Sequence, residues 1–189
     1  MTATTCVLLF LLTGSVVLPL KTMLMNAMTL SATLGIVVLS FQVGLLDDAL
    51  GYTGPSAIEV TSLVFLFAAT FGLTTDYAVL VTARIKEQHD LGVSNEEAVA
   101  IGIGRTGRVI TAAAVMIAIV FLAFGVSAVF FMKQIAVGQA VGVLIDATVV
   151  RALLVPALMH LFGEANWWAP APIKRLHQRF GFQEAASER

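Results

Sequence analysis

An all-α, polytopic membrane helix bundle is the fold class this sequence predicts, and three observations predict it. Of its 189 residues 58% are hydrophobic and 12% are charged, against about 25% charged in globular domains. The hydrophobic residues, with a mean hydropathy of +0.91, gather into long runs, several of them long enough to cross a hydrocarbon core of roughly 30 Å. The basic residues collect on alternate connections, as they do in chains that cross a membrane repeatedly. Five transmembrane helices and one short cytoplasmic amphipathic helix are expected.

The first span covers about residues 4–20 and ends at Pro19 and Lys21. No Lys or Arg precedes it and no small-residue cleavage site follows, so it reads as a retained helix. A second span, about 22–42, follows with almost no loop, which makes the pair an antiparallel hairpin. Asp47, Asp48, Gly51, Gly54 and Pro55 then mark an acidic turn region. The third span is about 61–82. After it, Ser94 and Glu97 have capping-box spacing ahead of Ala98, Val99 and Ile101. That pattern predicts the short amphipathic helix on the membrane surface, or a plain cytoplasmic turn-helix. A fourth span, about 109–126, opens on the small residues Thr111 to Ala114, and a fifth, about 135–161, ends before Trp167 and Trp168. Residues 1–165 would thus form the membrane domain and 166–189 a cytoplasmic tail.

Lys21, Arg84, Lys86, Arg105, Arg108, Lys174, Arg175, Arg179 and Arg189 fall on one side of this arrangement, and Lys133 on the other. The positive-inside rule then puts the C-terminus in the cytoplasm and the N-terminus outside. A formal net charge of −1, with no basic arm interleaved with aromatics, excludes a nucleic-acid footprint. Cys6 stands alone, so neither an intrachain disulfide nor a Cys-based metal site is available. His89, His160 and His177 are scattered without ligand spacing.

Two polar clusters sit inside apolar runs. Asp76, followed by Tyr77, lies in the third span, with Gly72 and Ala68 one and two turns before it on the same face. An acid at mid-helix costs roughly 2.5–3.5 kcal/mol on an insertion scale. It is either a structural hydrogen-bonding group between helices or a proton carrier, and the small-residue stripe lets a neighbouring helix shield it. In the fifth span Gly138, Gly142 and Asp146 recur every fourth residue. Arg151, five positions after Asp146, would lie about 140° away around an α-helix. It is therefore expected to meet another helix or to snorkel to the boundary rather than to pair with Asp146 directly. The two charges read equally well as a structural ion network or as part of transport. Gln139 and Thr148 add hydrogen-bonding capacity, and Pro156 predicts a bend.

FGLTTDY, GRTGRVITAAA, AVGVLIDATVVRALLVPAL and NWW, with SVVLPLK earlier, resemble the C-terminal membrane half of MmpL transporters of the resistance–nodulation–division (RND) superfamily. The resemblance covers nearly the whole chain, in order. It implies a twelve-helix transporter built from two repeats, each with a large extracytoplasmic domain, in a bacterial inner (plasma) membrane. This chain would supply helices eight to twelve. Asp76 and Tyr77 match the family's proton-relay pair on helix ten; Asp146 and Arg151 match polar positions of helix twelve. The proton motive force is the implied energy source, with no cofactor. The implied cargo is a lipid or another hydrophobic compound, and the implied partners are the bilayer and the N-terminal half or another RND-type subunit. The family's first repeat and domains lie outside this sequence, so a fragment, a split gene product or one part of an assembly is expected, not a transporter by itself.

Two rival readings remain. The chain could be a non-transporting assembly partner whose acids are structural. Two intramembrane acids with Pro156-Ala157-Leu158 also superficially resemble intramembrane aspartyl proteases. Against that, the order is Asp-Tyr rather than Tyr-Asp, and GVLID lacks the second glycine of the Gly-x-Gly-Asp element.

Overall fold

The computed structural model describes residues 2–44 and 57–170. The acidic turn region at Asp47, Asp48, Gly51, Gly54 and Pro55 lies outside the described residues, as do Lys174, Arg175, His177, Arg179 and Arg189. Among the described residues every regular element is helical: α1 (Thr2–Thr13), α2 (Val17–Phe41), α3 (Val60–Asp90), α4 (Asn95–Phe124), α5 (Phe130–Ile145), a π-helical stretch (Asp146–Leu154), α6 (Val155–Phe162) and a 3-10 turn (Gly163–Trp167).

Four helices are long and apolar enough to cross a membrane: Val17–Phe41, Val60–Asp90, Asn95–Phe124 and the continuous run Phe130–Trp167. The expected first span differs. Its helix stops at Thr13, where Gly14 turns at φ +68°, a conformation that costs glycine little. Ser15 Oγ then accepts from the Val17 N–H at 3.1 Å and starts α2. Pro19 and Lys21, read as the boundary, fall in the first turns of α2, where proline is tolerated. At 12 residues α1 is about 18 Å long, short of a crossing.

The separate amphipathic helix is also replaced. Ser94 caps a helix as its spacing predicts, accepting from the Glu97 N–H at 3.4 Å, but that helix continues unbroken through the fourth span to Phe124. Nothing in residues 95–108 breaks a helix, so the capped turn and the apolar run form one rod of about 45 Å. α3 likewise runs on to Asp90, and Gly102 lets the two extensions touch: a Cβ there would stand 2.6 Å from Ile85 Cγ1.

The connection at 14–16, the α3–α4 turn and the 3-10 turn meet at one end of the bundle. There Asn166, fully buried, donates to the Met159 and Gly163 carbonyls at 2.8 and 2.6 Å. Trp167 stacks on His89 at 4.1 Å between ring centres and donates to Asn95 Oδ1 at 3.1 Å. Asn166 and Trp167 therefore belong to the bundle rather than to a tail. At the opposite end Phe41 packs edge-on against Phe130, and Gln134 accepts from the Ser62 hydroxyl and, at 3.2 Å, from the Glu59 N–H.

Candidate functional site

The site is built where α2, α3 and the last long helix meet. Glycines make the approach possible. A Cβ on Gly138 would lie 2.7 Å from Leu66 Cδ2 and 2.8 Å from Val37 Cγ2, and one on Gly142 would lie 2.7 Å from Thr33 Oγ1. Real Cβ contacts essentially never fall below 3.0 Å, so these two positions hold α5 against α2 and α3. Gly142→Ala should therefore cost about 1–3 kcal/mol by overpacking, read as a lowered unfolding midpoint in detergent.

One turn beyond Gly142, Asp146 is 4% exposed. Here the expectation that Arg151 does not pair directly with Asp146 is corrected, although it also meets another helix as expected. From Asp146 to Leu154 the helix is wound as a π-helix, whose hydrogen bonds run from residue i to i+5. That wider turn returns residue i+5 to the face of residue i. Arg151 Nε accordingly donates to Asp146 Oδ2 at 2.7 Å, with both side chains buried. Thr29, buried on α2, lies beside Asp146 and donates to the Met25 carbonyl at 3.2 Å.

Arg151 also reaches α3. Its Nη2 donates to the Thr74 carbonyl at 2.7 Å, and its guanidinium carbon lies 5.0 Å from the centre of the Tyr77 ring. Carboxylate, helix carbonyl and aromatic face together share one buried cation. Tyr77 and the Asp146–Arg151 pair, read from two separate spans, thus form one cluster.

Asp76 stands apart. It is exposed, and among the described residues it makes no hydrogen bond or ion pair. Ala68 on the same stripe is exposed too, and a Cβ on Gly72 would meet nothing within 4 Å. The stripe expected to seat a shielding helix has none among the described residues. Gly72→Ala should therefore raise the stability of the chain by itself, by up to about 1 kcal/mol from helix propensity, the opposite sign to Gly142→Ala in the same assay.

The carboxylate of Asp146 is taken up by Arg151, and no hydrogen bond joins it to Asp76 among the described residues. A dyad of acids sharing one proton is not what this arrangement presents. Gln139 is fully buried and accepts from Thr70 at 3.2 Å, whereas Thr148 is exposed and donates to the Leu144 carbonyl of its own helix.

Sequence reasoning missed the polar lining of α2. Thr22, Asn26, Thr29, Thr33 and Ser40 are all buried, and Asn26 donates to Thr75 on α3 at 3.2 Å. Their spacing of three, four and seven was a readable signal of a polar face turned inward, the reverse of a soluble amphipathic helix. Lys21, 7% exposed, was missed as a buried group because it reads as a loop residue.

A family model described as the MMPL family matches residues 1–188. The chain belongs to this family. It is 46% identical over 180 residues to a membrane protein of Streptomyces coelicolor, covering 95% of this chain and 26% of that protein. It is 45% identical to the trehalose monomycolate exporter MmpL3 of Mycobacterium tuberculosis, covering 96% of this chain and 19% of that one. The mycolic acid-containing lipids exporter MmpL11 of Mycolicibacterium smegmatis is 36% identical over 94% of this chain and 19% of its own length. The MMPL chain described here thus spans about a quarter or less of these relatives, and its resemblance to the family stands.

Proposed function

We propose that this chain forms the C-terminal membrane part of a proton-motive-force-driven exporter of lipids or hydrophobic compounds, with Asp76 as the group that takes up and releases the proton. One observation carries the reading. Tyr77, next in sequence to Asp76, packs on Arg151, the cation of the buried pair. A change of charge on the open face of α3 is thereby one residue away from a contact that ties α3 to the last helix. Low dielectric favours a neutral carboxyl and a nearby cation or hydroxyl donor favours a charged one, so helix movement that alters this balance loads and unloads the proton. Moving one charge through 100 mV supplies about 2.3 kcal/mol, enough to shift helix packing.

The names of the mycobacterial relatives support a lipid cargo. The bare stripe of Ala68, Gly72 and Asp76 supports a partner, the rest of an RND-type transporter, covering that face. We place the assembly in the bacterial plasma membrane with the C-terminus in the cytoplasm. The test uses vesicles holding the complete transporter, with an imposed pH gradient and export read directly. Export should stop when an uncoupler collapses the gradient; export that continues undiminished would sink the reading.

A further inference from the structure

Where α3 and α4 leave the apolar layer, Leu80 and Arg84 of one helix and Arg105, Thr106 and Val109 of the other line a single open groove of about 400 Å³. Its depth follows from the sequence. From Val60 to Arg84, α3 rises about 36 Å, past a hydrocarbon core of roughly 30 Å. Arg84 is the first basic residue after that apolar run, and Arg105 and Arg108 are the last before the apolar run of α4. The two helices are antiparallel, so the turn from Arg84 back to Leu80 and the turn from Arg105 on to Val109 both lead into the membrane, by about 6 Å. The groove therefore has two tiers, with guanidinium groups at headgroup level and exposed apolar side chains just beneath them.

The charges of the upper tier are largely uncompensated. Arg105 and Arg108, both exposed, make no ion pair among the described residues. Arg84 Nη1 donates to Glu87 Oε2 at 2.8 Å, but both side chains are open to solvent, and a solvated pair of this kind contributes little. The Asp90 carboxylate is taken up by Lys86 one turn along the helix. Two guanidinium forks from different helices match a phosphodiester, each offering parallel N–H donors to its oxygens. Three arginines near one carboxylate disfavour a head group that carries its own cation and favour a net anionic one. The apolar tier fits the first carbons of an acyl chain, which a free phosphate lacks.

We infer that this groove binds the head group of an anionic phospholipid, its phosphate between Arg84 and Arg105 and the start of its acyl chain on Leu80 and Val109. The site stands apart from Asp76 and from the transport reading, and no transport is measured to test it. Native mass spectrometry of the whole chain in detergent, equilibrated with dioleoyl phosphatidylglycerol, counts the bound lipid and gives its apparent Kd. Dioleoyl phosphatidylcholine, with the same chains and a cation in its head group, and inorganic phosphate are the comparisons. The parent chain should retain phosphatidylglycerol in preference to phosphatidylcholine. From what one basic side chain contributes near an anionic lipid, Arg84→Gln and Arg105→Gln should each weaken that binding about fivefold, and together about twenty-five-fold. Arg108→Gln, at the same level but outside the groove, should leave it unchanged within about twofold. All three positions are exposed, so the unfolding midpoints should stay with the parent's. Equal retention of the two lipids by the parent would overturn the inference, as would an equal loss in Arg108→Gln, the mark of a basic surface without a site. Displacement of the lipid by inorganic phosphate at equal concentration would overturn it too, by making the groove a free-anion site. A double variant that binds phosphatidylglycerol like the parent would do the same and leave the groove to an acidic segment of a protein partner.

Discussion

On the proposed reading, Asp76→Asn is expected to abolish proton-coupled export by the assembled transporter while leaving the chain folded. The amide keeps the shape of the carboxyl and cannot titrate. Groups that move a proton in a rate-determining step contribute about 10²–10⁴-fold, so the export rate should fall by at least the lower of these. Stability should change by no more than about 0.5 kcal/mol, because Asp76 is exposed and has no partner among the described residues. Asp76→Glu restores a titrating group and should recover part of the rate. Export and unfolding midpoint measured on the same preparations separate the two effects. An Asn variant that exports at the parent rate would remove Asp76 from the mechanism and leave the bare stripe as a packing face only.

Arg151→Met acts through the opposite route, on the fold. It leaves Asp146, 4% exposed, without its cation, and breaking a buried pair from one side costs about 3–5 kcal/mol. The Thr74 carbonyl and the Tyr77 ring lose their contact at the same time. The double variant Asp146→Leu with Arg151→Met removes both charges, and most of the lost stability should return, since apolar replacements of such pairs are often close to neutral. Unfolding of the three proteins in one detergent gives the comparison. Equal midpoints for parent and Arg151→Met would mean that the pair does not hold α3 to the last helix.

The apolar runs were legible because a helix in lipid must satisfy every backbone group internally and present apolar side chains outward. The glycine stripe leading to Asp146 was legible for a similar reason: residues four apart share a face whatever lies opposite. Arg151 was misplaced because that argument assumes 3.6 residues per turn, and the π winding of Asp146–Leu154 changes the count. The break at Gly14 was hidden by Pro19 and Lys21, which look like a boundary but are tolerated in the first turns of α2.

The sequence by itself determined the membrane class, the family, the acids that interrupt the apolar runs and the glycines that allow helices to meet. Only the tertiary structure decided that Arg151 closes on Asp146 and touches Tyr77, that Lys21 is buried against Asn166, and that the Asp76 stripe faces no helix among the described residues. The physical reason is that periodicity records which residues share a face of one helix. Which faces meet, and how tightly a given turn is wound, are set by packing and ion pairing between segments far apart in the chain.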